Sequence, residues 1–329
     1  MMPLLDQIEL SDLEFLLRYS FRSIMNDSAT KLTVHSKLQG SVSELSRLQQ
    51  ALLFAELSNA SYYDEDFIAP ILREIGFDEF RFFDRDGAQA YILWNQQDCV
   101  VACRGTEPNE WNDIKADANA VAVVTETFGK VHKGFNTEVD DLWPMLEEVL
   151  TENDKTLWFT GHSLGGAMAT ICAGRCFLSD ISSMPHALYT YGSPRVGCKR
   201  FVNFVELDHS RFVNNNDIVT RVPPAWMGYR HGGKEWYLNR NGQISKVNGL
   251  SRSLDRWRGF LGGLLKFNVD HFADHSMERY IDYINKAVLT EQTRSQTETA
   301  QQDDDQSSST DRTVTLQTQE SEKGLERQV

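Results

Sequence analysis

Residues 156–169 read TLWFTGHSLGGAMA, and inside them Gly161, Ser163 and Gly165 form a G-x-S-x-G pattern. Ser163 lies between a short apolar run, Leu157 to Phe159, with the character of a strand, and a helix-like run of small residues beginning at Gly166. A serine on so tight a corner is held in a strained backbone conformation with its hydroxyl presented to a substrate, and the flanking glycines avoid collision with strand and helix. The helix start directs free N–H groups and a positive dipole end at any developing oxyanion. Such residues suit nucleophilic attack on an acyl carbon. The plain alternative is a serine that caps a closely packed helix.

Ser163 requires a base within hydrogen-bond reach. On an elbow of this kind the chain order is serine, then Asp or Glu, then His, which removes His35, His132 and His162 from the eight histidines. RFVNNNDIVTRVPP supplies the acid: Phe212 and Val213 end a strand, and Asp217 follows in a polar loop. Asp208 competes, but it precedes that strand and belongs to the opposite edge of the sheet. The alternative for Asp217 is a turn residue that bonds only its own backbone. His231, in GYRHGGKEWY, suits a structural hydrogen bond. His275 stands just before the closing helix, where Asp274 or Ser276 caps the helix start, and is the favoured base, with His271 second. The amides of Leu164 and Thr106, the latter at the end of VVACRGT, are the expected oxyanion donors. Arg104 either braces this turn through an ion pair or is an ordinary arginine at a buried edge.

Alternating strand and helix signals carry these residues. SVSELSRLQQALLFAELSNASYY patterns as an amphipathic helix with Leu45, Leu48, Leu52, Phe54 and Leu57 near one stripe and Ser41 or Ser43 as cap. DLEFLLRYSFRSI, further upstream, forms a shorter helix on the same reasoning. FRFFDRDGAQAYILWNQQDCVVACRGT contains three strand-like runs split by DRDG and NQQD, an antiparallel start to a sheet. GFNTEVDDLWPMLEEVL is helical, ALYTYGSPRV, RFVNNNDIV and KEWYLNR are strands, and MERYIDYINKAV closes the fold as a helix. The expected class is α/β, a mostly parallel central sheet with helices on both faces.

The 329 residues are 41% hydrophobic and 24% charged, enough for a sizeable core, with no stretch approaching the roughly 18 apolar residues of a membrane span. The net charge is −14; residues 291–329 hold nine acids against four bases, leaving about −9 on the rest. An acidic body argues against nucleic acid as a partner. Five cysteines without metal-ligand spacing and an N-terminus without a secretory pattern lead to the expectation of reduced thiols in a cytoplasmic protein. The division expected is a catalytic domain over 1–290 and a disordered polar tail over 291–329, where TETAQQDDDQSSSTDR lacks large apolar residues.

VACRGTE, VHKGF, FTGHSLGGAMA, YTYGSPRVG, RFVNNNDIVTRVPP and DHSMERYI, in this order between about Ser41 and Ala287, resemble the class 3 (fungal-type) lipase family of α/β-hydrolases. The resemblance implies hydrolysis of carboxylic esters bearing acyl chains through Ser163, Asp217 and His275, with Thr106 and Leu164 as oxyanion donors and no metal or organic cofactor. It implies a structural place for His132. Family members commonly carry an apolar lid helix after the oxyanion strand, whereas EPNEWNDIKADANAVAVVTETFG begins polar and acidic. GLSRSLDRWRGFLGGLLKF, 249–267, sets Leu250, Leu254, Trp257, Leu261, Leu264 and Leu265 at helical spacing beside Arg252, Arg256, Arg258 and Lys266. It is either a lid-like segment in peripheral contact with a lipid surface or a core-packed helix with a basic face. The expected activity is a triacylglycerol or diacylglycerol lipase; the alternatives are a phospholipase A1 or galactolipase, a peptidase or thioesterase, and a non-catalytic lipid-binding relative.

Overall fold

The structure, a computed structural model, describes residues 32–105, 122–125, 129–215, 217–245 and 274–298. The chain separates into two compact units, Met1–Val34 and His35–Val329, and the elements below belong to the second. The helix expected over DLEFLLRYSFRSI and the tail from 299 lie outside the described residues.

Two helices, α1 (Arg47–Ala60) and α2 (Glu65–Ile75), precede an antiparallel meander of β1 (Glu79–Arg85), β2 (Ala88–Trp94) and β3 (Asp98–Cys103). The β1–β2 turn is the dipeptide Asp86–Gly87, with φ of 53° and 93°, the left-handed pair that matches hairpin twist. At the next turn Asn95 Oδ1 accepts the N–H groups of Gln97 and Asp98 at 2.8 and 2.7 Å. Then follow β4 (Ala122–Thr125), β5 (Gly129–His132), α3 (Lys133–Thr151), β6 (Thr156–His162), α4 (Leu164–Cys176), β7 (Pro185–Tyr191) and β8 (Gly197–Cys198). Next are α5 (Lys199–Phe204), β9 (Asp208–Asn214), β10 (Tyr229–Arg230), β11 (Lys234–Leu238) and β12 (Ile244–Ser245). A closing helix, α6, spans 277–298.

The main sheet has eight strands in the order β1-β2-β3-β6-β7-β9-β11-β12. From β3 to β11 all neighbours are parallel, each reached through a crossover, while the two ends pair antiparallel. A small sheet, β10-β8-β5-β4, stands apart. On one face α1 lies over β6 and β7, where Phe54 stacks on Tyr189 at 4.7 Å and meets Trp158 at 5.5 Å. The other face joins Leu157, Phe159 and Leu188 to α3 and to the small residues Ala167, Ala169 and Ala173 of α4 in one apolar core. The alternation of Trp158 and Phe159 between faces is the period of two expected of a strand covered on both sides.

Several boundaries differ from expectation. The helix α1 begins after Ser46, which forms a capping box with Gln49, while Ser41 caps a separate 3₁₀ turn, Val42–Glu44. It is buried nearly all round from Ala51 to Ser58, because the chain at His35 and Ser36 lies over its outer side and bonds Glu56. The strand at ALYTYGSPRV stops at Tyr191, where Gly192 turns the chain with φ 60°. Asp208 opens β9 rather than preceding it. The closing helix runs past residue 291 to 298 with exposed side chains, supported by an Arg294–Glu298 pair at 2.7 Å. All five cysteines are free thiols. Cys99, Cys103, Cys172 and Cys176 share the core, where burial pushes the Cys99 thiol up to about 12 and makes it inert.

Candidate active site

Ser163 sits between the end of β6 and the start of α4, with φ 58° and ψ −129°, a conformation costing about 1–3 kcal/mol for a residue other than glycine. Its N–H donates to Tyr191 O at 2.9 Å, tying the corner to β7. The side chain makes no capping bond to α4, and Oγ is buried without a hydrogen-bond partner among the described residues. A helix cap would have spent that oxygen on the first turn; here it is left for other chemistry. Glycine is required two residues on because a Cβ at Gly165 would stand 2.7 Å from the backbone carbon of Arg104, where β3 ends. Thus β3, β6 and α4 converge on the serine. Leu164 is the first residue of α4, so its N–H has no intrahelical partner and lies beside the hydroxyl. Thr106, the other expected oxyanion donor, lies outside the described residues. Arg104 bonds Gln89 Oε1 at 2.6 Å and lies 5.7 Å over the Tyr62 ring.

Asp217 follows β9 and is fully buried. Its two oxygens have separate partners. Oδ1 accepts the N–H of Val219 at 2.9 Å, closing its own turn. Oδ2 lies 2.9 Å from His275 Nδ1 and accepts the Tyr280 hydroxyl at 2.7 Å. Asp208 is at the other end of β9, ion-paired on the surface with Arg47 at 2.7 Å.

His275 is buried on the turn before α6. A Cβ on Gly192 would fall 2.8 Å from both His275 Nδ1 and Asp217 Oδ2. Since Ser163 bonds the residue just before Gly192, the serine and the Asp–His pair flank the same turn after β7. With Nδ1 donating to Asp217, Nε2 is the nitrogen that accepts a proton. His271 and the segment 249–267 lie outside the described residues, as does most of the expected lid region. His231 bonds Thr220 O at 2.8 Å, a structural tie. His132 packs at a tilt against Phe135, 4.1 Å between ring centroids, and is the N-cap residue before α3. His209 is paired with Thr190 Oγ1 at 2.9 Å, its pKa pushed down to about 3 by burial.

Two tyrosines at the site escaped the pattern reading. Tyr280 looks like one more apolar residue of a closing helix, although it lies five residues from His275. Its pKa is held well above the usual phenol range by burial and by Asp217, so it remains a donor. Tyr62 bonds His162 Nδ1 at 2.9 Å. The signal for both is an aromatic hydroxyl in a segment whose other large residues are buried, since a buried tyrosine oxygen needs a partner.

A mostly parallel sheet with a serine on a strand–helix elbow, and an acid and a histidine brought from later loops, is the arrangement of the α/β-hydrolase fold. Residues 100–227 match the sequence model of the family Lipase (class 3). That match takes in less than half of the chain. The chain is 38% identical over 122 residues to a lipase of Rhizomucor miehei, a match covering 34% of this chain and 34% of that protein. A match to the secreted mono- and diacylglycerol lipase 1 of Fusarium solani is 47% identical over 83 residues, 24% of each chain. The solved Rhizomucor miehei triacylglyceride lipase superposes with a TM-score of 0.53 over 65% of this chain and 91% of that one, at 24% identity, a likeness of fold. The matches to these curated relatives span about a third or less of the relatives' length, 34% and 24%.

Proposed function

We propose that the chain is a serine hydrolase of carboxylic esters that acts on acylglycerol-type lipids through an acyl-enzyme. One observation carries the reading: the Asp217–His275 pair at 2.9 Å, set beside a strained Ser163 that spends no hydrogen bond on its helix. His275, oriented by Asp217, takes the Ser163 proton as Oγ attacks the ester carbonyl. The tetrahedral oxyanion is held by the amides of Leu164 and Thr106. Collapse expels the glycerol hydroxyl, protonated by His275, and leaves the acyl group on Ser163. Water, deprotonated by His275, then releases the fatty acid and restores the serine. Acylglycerols are favoured as substrate because Fusarium and Penicillium relatives are named mono- and diacylglycerol lipases. Peripheral contact with a lipid surface through 249–267 belongs to the same reading.

The test is covalent labelling with a long-chain p-nitrophenyl phosphonate, followed by rates on mono-, di- and triacylglycerol, phospholipid and galactolipid. Labelling at Ser163 with acylglycerols turned over fastest is expected, and Ser163→Ala should lose at least about 10⁴-fold in kcat. Fastest turnover of phospholipid or galactolipid would replace the acylglycerol assignment. Ser163→Ala with undiminished activity would end the enzyme reading.

A further inference from the structure

His275 stands on a turn at 274–275 with no strand ladder to hold it. Side chains from two other elements fasten its backbone. Asn214, at the end of β9, donates Nδ2–H to Asp274 O at 2.8 Å. His162, at the end of β6, has Nε2 only 2.8 Å from His275 O. A carbonyl oxygen can only accept, so His162 Nε2 carries the proton. Its Nδ1 is then an acceptor, and the Tyr62 hydroxyl 2.9 Å away donates to it. The His162 and His275 rings also lie against each other in a tilted arrangement, 4.5 Å between centroids and 33° apart.

We infer that His162 is a positioning residue: Tyr62 locks it in the Nε2–H form, and in that form it fixes the backbone and ring of His275 against the elbow. This rests on the reading of His275 as the base. His162 is the chain neighbour of Ser163, so the strand that carries the nucleophile also grips the base, and the distance between the two reacting groups is set within one residue. Misplacement by about 1 Å is worth about 100-fold in rate.

Charge makes the same demand. Around His162 stand Tyr62 from the segment after α1, His275 from the turn, and Tyr280 from α6, its ring edge-on at 6.2 Å. Asp217 lies beyond His275, and Arg104 lies over Tyr62. Burial and the neighbouring His275 hold His162 well below the usual imidazole range. A neutral ring there avoids a second positive charge against His275 when the base takes up its proton.

The test compares His162→Gln, His162→Asn, His162→Leu and Tyr62→Phe on a soluble p-nitrophenyl ester from pH 5 to 9. Melting curves and phosphonate labelling of Ser163 accompany the kinetics. The glutamine amide reaches where Nε2 stood; the asparagine amide reaches only to Nδ1. His162→Leu and His162→Asn are expected to lose about 100-fold in kcat with KM changed less than about threefold. His162→Gln is expected within about tenfold of the parent, and Tyr62→Phe to lose about fivefold, one neutral hydrogen bond. The acid limb of the parent should follow a single ionisation. Gln no better than Leu and Asn at equal melting temperature, full activity in His162→Leu, or a limb of slope two would each overturn the inference. If His162→Leu does not fold, the Gln–Asn comparison and Tyr62→Phe decide. Labelled parent with unaffected His162 variants removes the positioning role alone. A parent neither labelled at Ser163 nor impaired by Ser163→Ala removes the triad reading as well.

Discussion

The Tyr280 hydroxyl lies 2.7 Å from Asp217 Oδ2, sharing that oxygen with His275 Nδ1. The same phenol oxygen accepts the backbone N–H of Asn214 at 2.9 Å. One side chain therefore links the end of β9 to the acid that follows it, and anchors both to α6. Tyr280→Phe strips a donor from Asp217 and leaves a buried N–H without a partner. The expected loss is about 1–3 kcal/mol of stability and about fivefold in kcat. Urea denaturation and steady-state kinetics on the same preparation check it; a variant unchanged in both would mean the phenol is not part of the acid's support.

Gly192 leaves no room for a side chain beside the Asp217–His275 pair. Its φ is 60°, and a Cβ there would stand 2.8 Å from Asp217 Oδ2, 2.8 Å from His275 Nδ1 and 2.9 Å from His275 Cε1. Gly192→Ala should force His275 away from Asp217, with kcat reduced at least about 100-fold and stability reduced by about 1–2 kcal/mol for the left-handed backbone. An alanine variant with parental kcat would show that the pair is not needed at its observed separation.

Asp98 supplies a contrast, because it is equally buried but remote in role. Its carboxylate accepts Val42 N at 2.9 Å and Trp158 Nε1 at 2.8 Å, fastening the 3₁₀ turn before α1 to the middle of the sheet. Asp98→Ala orphans both donors and should cost at least about 2 kcal/mol. Activity per folded molecule should stay within about twofold of the parent. Loss of kcat without loss of melting temperature is the result that would contradict this division between support and site.

Much of the site can be read in the chain because its chemistry depends on local order. The glycines that mark Ser163 are ones that backbone contacts exclude from substitution, and chain order along parallel strands points to Asp217 and His275, which the fold places 2.9 Å apart. The main sheet is equally legible from β1 to β11, whose strands are long enough to show a period, but not at its two-residue edge strand β12. The small sheet is not: β8 and β10 have two residues each, too few for any alternation. The start of α1 is not legible because Ser41, Ser43 and Ser46 all have capping chemistry, and only tertiary contact decides among them. Chain order sets His162 aside as a base, but that rule concerns proton transfer and says nothing of support. A residue that acts through a backbone carbonyl 113 positions away leaves no mark in local sequence.

Acid sensitivity follows from the histidines that the fold keeps neutral. His162 and His209 are both buried and both held below the ordinary imidazole value of 6.5, His209 at about 3. A lowered folded-state pKa means the unfolded chain binds the proton first. Their contribution to stability is therefore present above pH 6.5 and is lost as pH falls towards the folded-state values. His231 is likewise held well below 6.5 by burial, and below 6.5 each of the three contributes a slope approaching about 1.4 kcal/mol per pH unit, hence about 4 together. Urea midpoints at pH 8, 6 and 5 should be level at first and then fall steeply. His209→Gln keeps a polar group near Thr190 but cannot ionise, and should remove about a third of that slope. Midpoints that do not move between pH 8 and 5 would mean that all three rings accept protons within the folded protein, which would also withdraw the neutral partner that His275 requires.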